Sequence, residues 1–203
     1  YDYFKFHETV SRMVFENFYI GIGYQLDYYW NIKDEQLNLE SDTVKLTPHW
    51  LYSRKYDFDT SNYMLSGLSL NVIYDSRDNL INPYQGFYAN LNYRINQVWL
   101  GSDQFSTSLW AEFRTYIGLS KKKPRHVVGF WLFGDFQVSG NRPYLTLMAS
   151  GEDQKARSGR GYIAGRFRGE NFVYGEVEYR FPISQCSQVL GGVVFLNATT
   201  ASN

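Results

Sequence analysis

Apolar and polar residues alternate along most of this chain. In residues 87–99, Phe87, Ala89, Leu91, Tyr93, Ile95 and Trp99 share one parity, and Tyr88, Asn90, Asn92, Arg94 and Asn96 share the other. Side chains of a strand alternate across its two faces, so this pattern predicts a two-faced ribbon. The same alternation recurs at 19–30, 67–75, 105–119, 127–138 and 172–183. With 1–13 and 189–200 the count is eight strands, and no stretch fits a helical period. The first strand is the least regular, because Glu8 and Arg12 fall on its apolar parity.

Strand length and charge placement then separate two architectures. Soluble strands cluster near 5–6 residues, whereas membrane-barrel strands need about 9–11 to cross hydrocarbon. The predicted strands have membrane length. Their apolar parity stays free of charge through six strands, while Arg94, Glu112, Arg114, Asp135, Glu176, Glu178 and Arg180 occupy the polar parity. A lipid-facing surface and a wet lumen account for both. The prediction is an all-β, antiparallel transmembrane barrel, with a soluble β-sandwich as the alternative.

Composition sharpens this reading. Aromatics make up 19% of the 203 residues, with 18 Tyr, 15 Phe and 5 Trp, which suits strands and interfacial girdles; Trp30 and Trp99 are candidate anchors. Lys+Arg and Asp+Glu are both 20, which disfavours a nucleic-acid partner. One cysteine, Cys186, excludes an intrachain disulfide framework. His7, His49 and His126 are far apart and form no ligand pair, so no metal or cofactor is expected. The termini suggest an excerpt of a longer chain.

Connections alternate between the two ends of an antiparallel barrel. Residues 14–18, 75–86, 120–126 and 184–188 fall at one end, and 31–66, 100–104 and 139–171 at the other. Outer-membrane barrels carry their long loops outside. Loops 31–66 and 139–171 are therefore expected to be external, and Lys121–Lys122–Lys123 periplasmic.

Two connections carry chemistry. Asp75, Arg77, Asp78 and Asn79, then Pro83 and Gly86, form a turn by composition; cation ligation by its acids is the weaker alternative. Loop 139–171 is unusually long and holds Arg157, Arg160, Arg166 and Arg168 among glycines. An RNA-binding segment and a phosphate loop are disfavoured by the neutral chain and the missing helix-start signature. The favoured alternative folds the loop into the lumen, where its arginines meet Glu176 and Glu178. Those glutamates, about 7 Å apart along the strand, have the spacing of a glycosidase pair, but a structural role is the plainer reading. No Ser-His-Asp arrangement or other catalytic site is evident, and the chain is not expected to be an enzyme.

Arg160-Gly161-Tyr162 in a long loop resembles the arginine-glycine-aromatic motif of the BamA/TamA superfamily of bacterial surface antigen barrels. Glu178-Tyr-Arg-Phe-Pro-Ile183 resembles the strand that follows that loop, and Asp75 to Phe87 resembles the family's periplasmic turn. The resemblance covers most of 65–197, and the stretches 159–169 and 176–183 look most like Bacteroidetes-type members. It implies that 1–203 is part of one barrel domain of about sixteen strands in the outer membrane of a Gram-negative bacterium. It implies that Arg160 pairs with Glu178 and with a second acid, whose place is taken by Asn197; Glu176 is the candidate substitute. The implied function is insertion of barrel proteins into the outer membrane, or export of a passenger. The implied partners are the bilayer, an outer-membrane or passenger substrate, and accessory periplasmic or lipoprotein subunits. The alternatives are a pore or a barrel anchoring a patatin-like or phosphoesterase hydrolase domain, and, from a different class, a soluble carbohydrate-binding sandwich.

Overall fold

The computed structural model describes residues 1–39, 45–120, 125–153, 158–184 and 190–202. Eight strands form one sheet in chain order: β1 (Asp2–Phe15), β2 (Phe18–Trp30), β3 (Tyr63–Asp75), β4 (Gly86–Asn96), β5 (Ser106–Gly118), β6 (Val127–Gly140), β7 (Asn171–Pro182) and β8 (Gly191–Ser202). Every neighbouring pair is antiparallel. At about 3.3 Å per residue, even the 11 residues of β4 span about 36 Å, enough for a tilted crossing of a ~30 Å hydrocarbon layer. No helix among the described residues is long and apolar enough to cross a membrane.

Burial runs opposite to that of a water-soluble sheet. Ile22, Leu70, Leu91, Leu132 and Val177 are 68%, 56%, 48%, 52% and 42% exposed. Asp27, Asn71, Arg94, Glu176 and Glu178, on the other parity, are all under 9% exposed. Register enforces this separation across strands: Ile22 pairs with Leu70, Leu70 with Tyr93, and Tyr93 with Leu109. A one-residue slip would exchange the faces. Water would penalise a continuous apolar exterior of this size, whereas lipid requires it. Glu8 and Arg12 do lie on this outer face, opposite Tyr24 and Ile20. Arg12 sits three residues from the end of β1 at Phe15, close to the β1–β2 turn.

The inner face satisfies its charges in networks. Arg94 donates to Asp27, to Asn96 Oδ1 at 2.6 Å and to the carbonyls of Gln25 and Leu65. His7 Nε2 lies 2.9 Å from Asp27 Oδ1. Farther along, Arg114 pairs with Glu112, which also accepts from Trp131 Nε1 at 2.9 Å.

Three elements depart from the sequence-based expectation. The strand expected at 87–99 ends at Asn96, and Val98–Leu100 form a 3₁₀ turn closed by Gly101 at φ 105°. Trp99 therefore leaves the strand's apolar row and is 74% exposed. Strand β3 begins at Tyr63, inside the expected 31–66 loop, and that loop contains a helix, α1 (Pro48–Lys55). Thr47 caps α1 by accepting from Trp50 N, and Pro48 occupies the first turn, where its missing N–H costs nothing. Helix α1 packs on the other long connection through Tyr52, Phe58 and Leu147, with Tyr56 and Tyr144 beside them. The Lys121–Lys123 run, Arg157 and Cys186 lie outside the described residues.

His49 of α1 is buried, and its Nε2 has no hydrogen-bond partner among the described residues. Burial holds its pKa below the usual value near 6.5, against the opposing pull of Asp34. A histidine with a lowered pKa stabilises the fold above its unfolded pKa, and that contribution is lost as pH falls below about 6.5. Proteolysis of 48–58 is therefore expected to accelerate between pH 7.5 and pH 5 in the wild-type protein and to change less in His49→Phe. Equal pH dependence in the two would remove His49 as the cause. On the outer face, Leu70→Arg is expected to destabilise the barrel in vesicles by about 2–4 kcal/mol. A Leu70→Arg protein that unfolds at the same urea concentration as wild type would contradict a lipid-facing Leu70.

Candidate functional site on the inner face

The connection from β6 to β7 starts and ends at the end of the sheet that also carries α1. Its backbone folds on itself. Ala149 bridges Arg168; Ser150 exchanges hydrogen bonds with Phe167 and accepts from Gly165 N at 2.7 Å. Ser158 donates through N and Oγ to Asp153 Oδ1 at 2.7 and 2.6 Å. Met148 inserts into an aromatic cluster of Phe133, Phe172 and Tyr174, flanked by Trp110 and Trp131. This packing anchors the loop to the inner face of β5, β6 and β7.

The loop then descends along that face. Arg160 reaches Glu176 and Glu178 of β7, its Nη2 at 3.4 Å from Glu176 Oε1 and 3.4 Å from Glu178 Oε2. Glu178 is seven residues along β7 from Asn171, about 23 Å at 3.3 Å per residue. The contact thus lies deep along the strand, four residues from its far end at Pro182.

Strands β7 and β8 together form the seat of Arg160. Register places Glu176 opposite Asn197 and Glu178 opposite Phe195. The guanidinium carbon stands 4.7 Å from the Phe195 ring centroid, and Asn197 Nδ2 donates to Arg160 O at 3.1 Å. Asn197 therefore holds the backbone of the motif, and Glu176 provides the second carboxylate. Gly161 follows at φ 88°, with open space where a Cβ would be, so conformation alone favours glycine there. Tyr162 leaves the seat, is 44% exposed and meets Phe167 edge-on at 5.9 Å.

The loop's other arginines act elsewhere. Arg168 donates from Nη1 to the carbonyls of Tyr144, Leu145 and Leu147, and pairs with Glu152 at 2.6 Å. It organises the loop's entry and does not reach the glutamates of β7. Arg166 lies near the Phe167 ring. The expectation that the loop arginines collectively meet the acidic row holds for Arg160 alone among those described.

The turn at the opposite end is built as its composition predicts. Arg77 forks onto Asp75 through Nε at 2.8 Å and Nη2 at 2.7 Å. Asp78 Oδ1 accepts from Tyr84 N and Gln85 N, and Asn79 Oδ1 from Ile81 N and Asn82 N. Gly86, at φ 97°, passes where a Cβ would lie 2.3 Å from Ser76 O. Pro83 is buried within this turn. Sequence reasoning missed how far the turn reaches. Arg180 of β7 donates from Nη1 to Asn82 Oδ1 at 3.1 Å and from Nε to Glu178 Oε1 at 2.7 Å. Asn82 and Glu178, 96 positions apart in sequence, are thus joined through one guanidinium.

The two glutamates depend on Arg160 unequally. Glu178 keeps Arg180 as a second cation, whereas Glu176 has the Tyr174 hydroxyl at 2.7 Å. Glu176 is 5% exposed, so loss of its charged donor leaves a poorly compensated buried carboxylate, a cost of about 1–3 kcal/mol. Arg160→Ala is expected to lower the heat-stable migration of the full barrel and expose 141–170 to protease. Glu176→Gln in the same background is expected to restore more of that stability than Glu178→Gln. If both double variants behave like Arg160→Ala alone, the imbalance between the glutamates is refuted.

No curated protein matches the chain. Among solved structures, the crystal structure of BamA from Haemophilus ducreyi lacking POTRA domains 1–3 is similar in fold, with a TM-score of 0.70 and 19% identity. That likeness covers 98% of this chain and 41% of the other, so this chain spans about two fifths of that protein's length. The model of the Omp85 superfamily domain matches residues 9–203. An antiparallel, inverted sheet of membrane-length strands matched over nearly its whole length by that model identifies the chain as a member of the Omp85 superfamily, the family of outer-membrane assembly and translocation barrels.

Proposed function

We propose that residues 1–203 form part of a single barrel domain that inserts barrel proteins into the outer membrane of a Gram-negative bacterium. The observation that carries this reading is the seating of Arg160 against Glu176 and Glu178 deep on the inner face. In this reading the loops at 31–62 and 141–170 are external, the turn at 76–85 is periplasmic, and the inner face lines the lumen. The loop occupies the lumen as a brace, held by its own folded backbone and by Arg160.

Such a brace serves an assembly barrel in a physical way. Insertion of a new strand pair requires a weakly paired seam and a locally disturbed bilayer, while the remaining wall keeps its hydrogen bonds. The segment described here is fully paired from β1 to β8. It contributes the stiff wall, and the seam belongs to other strands of the barrel. The substrate is an unfolded outer-membrane protein, the solvent is the lipid bilayer, and accessory periplasmic or lipoprotein subunits complete the machine. Export of a passenger polypeptide through the same barrel is the related activity. The Arg160 seat is assigned a structural role, with no reaction chemistry.

Reconstitution tests the reading. Vesicles holding the full-length protein are expected to insert a small urea-unfolded barrel substrate several-fold faster than empty vesicles, followed by its heat-shifted migration. Arg160→Ala is expected to reduce that acceleration. Equal insertion rates in loaded and empty vesicles, with or without accessory subunits, would defeat the assembly function.

A further inference from the structure

Glu178 is held from both ends of the molecule. Its Oε2 accepts from Arg160 Nη2 at 3.4 Å, and Arg160 belongs to the β6–β7 loop, which enters from the end carrying α1. Its Oε1 accepts from Arg180 Nε at 2.7 Å and also meets Arg180 Nη2. An arginine fork on a carboxylate ordinarily places one N–H on each oxygen. Here both donors of the fork share Oε1, while Arg160 occupies Oε2. The third arm of Arg180, Nη1, donates to Asn82 Oδ1 at 3.1 Å. Asn82 lies in the turn between β3 and β4, at the opposite end of the sheet from α1.

We infer that this arrangement is a relay, which reports the position of the β6–β7 loop at the turn closing β3 and β4. Departure of Arg160 frees Oε2, and the carboxylate then takes Arg180 Nε and Nη2 one on each oxygen. The guanidinium is planar and rigid, so Nη1 swings with the other two nitrogens and leaves Asn82. A cavity of about 490 Å³, bordered by Asn82, Glu178 and Arg180, gives the group room to turn. The released turn keeps its local bonds to Asp78 and Asn79 but loses its tie to β7. It carries Leu80 and Ile81, 71% and 88% exposed, so the presentation of this apolar pair follows the loop at the other end. A ligand that prefers the lifted loop shifts the turn by its difference in affinity for the two states. The relay rests on the bracing role proposed for Arg160. Its test reads neither insertion nor heat-stable migration, so the two readings can fail separately.

Amide hydrogen exchange of the full-length protein in nanodiscs tests the relay. Arg160→Ala is expected to speed exchange in 78–85 by about fivefold or more, while the β3 amides 65–73 change by less than about twofold. Asn82→Ala, at an exposed position, is expected to speed 78–85 to a similar degree, and the double variant to add less than about twofold to either single one. Coupling is reciprocal, because loss of Asn82 lets Arg180 take both oxygens of Glu178 and compete with Arg160. Asn82→Ala is therefore also expected to speed exchange in 158–169 by about twofold or more. That measurement decides the matter if Arg160→Ala fails to fold. Wild-type exchange of 78–85 in Arg160→Ala overturns the relay. So does an equal rise in 65–73, additive effects in the double variant, or unchanged exchange of 158–169 in Asn82→Ala.

Discussion

A strand crossing hydrocarbon must give each backbone N–H and C=O to a neighbouring strand, because lipid offers no partner. Its side chains then divide by parity, one set to lipid and the other to the interior. Nearly every feature of this chain follows from that division. Charges confined to one side of a sheet have neighbours only on that side, so they pair with each other and with whatever fills the interior. Arg94 closes on Asp27, Arg114 on Glu112 and Arg142 on Asp135. Glu176 and Glu178, farther along, receive an arginine delivered by a loop.

This same division made the fold legible from sequence. Alternation in β2 to β7 reports two unlike environments, and register preserves it across the sheet. Where a local turn competes with alternation, legibility ends. Trp99 continues the apolar parity of β4, but Gly101 in the left-handed region folds 98–100 into a 3₁₀ turn. Helix α1 has only eight residues and no broad apolar stripe, because it packs through His49, Tyr52 and Ser53 on a neighbouring loop. Thr47-Pro48 was the available signal, a cap followed by a proline that tolerates the first turn.

The inner site was partly legible. Arg160-Gly161-Tyr162 and the Glu176 and Glu178 row stand out in the sequence, and their spacing along one face of β7 follows from period two. The unequal dependence of the glutamates does not, since it hangs on Arg180 and Tyr174. The bond from Asp27 to Arg94 also resists prediction, because those residues are 67 positions apart and meet only once two sheet registers are fixed. Asn197 shows a subtler limit. Its place in the motif resemblance suggested a partner for the guanidinium, but an amide donor finds the Arg160 carbonyl instead.

The Asn82–Arg180 hydrogen bond has a mechanical meaning. The turn that carries Asn82 closes β3 and β4, yet it touches β7, three strand spacings away from β4, about 14 Å along the arc of the sheet. A link of this kind is a chord across a curve. It opposes flattening of the arc between β4 and β7 at one rim, as the packing of α1 on the β6–β7 loop does at the other rim. Bending compliance is thereby displaced toward β1 and β8, the strands outside the chord.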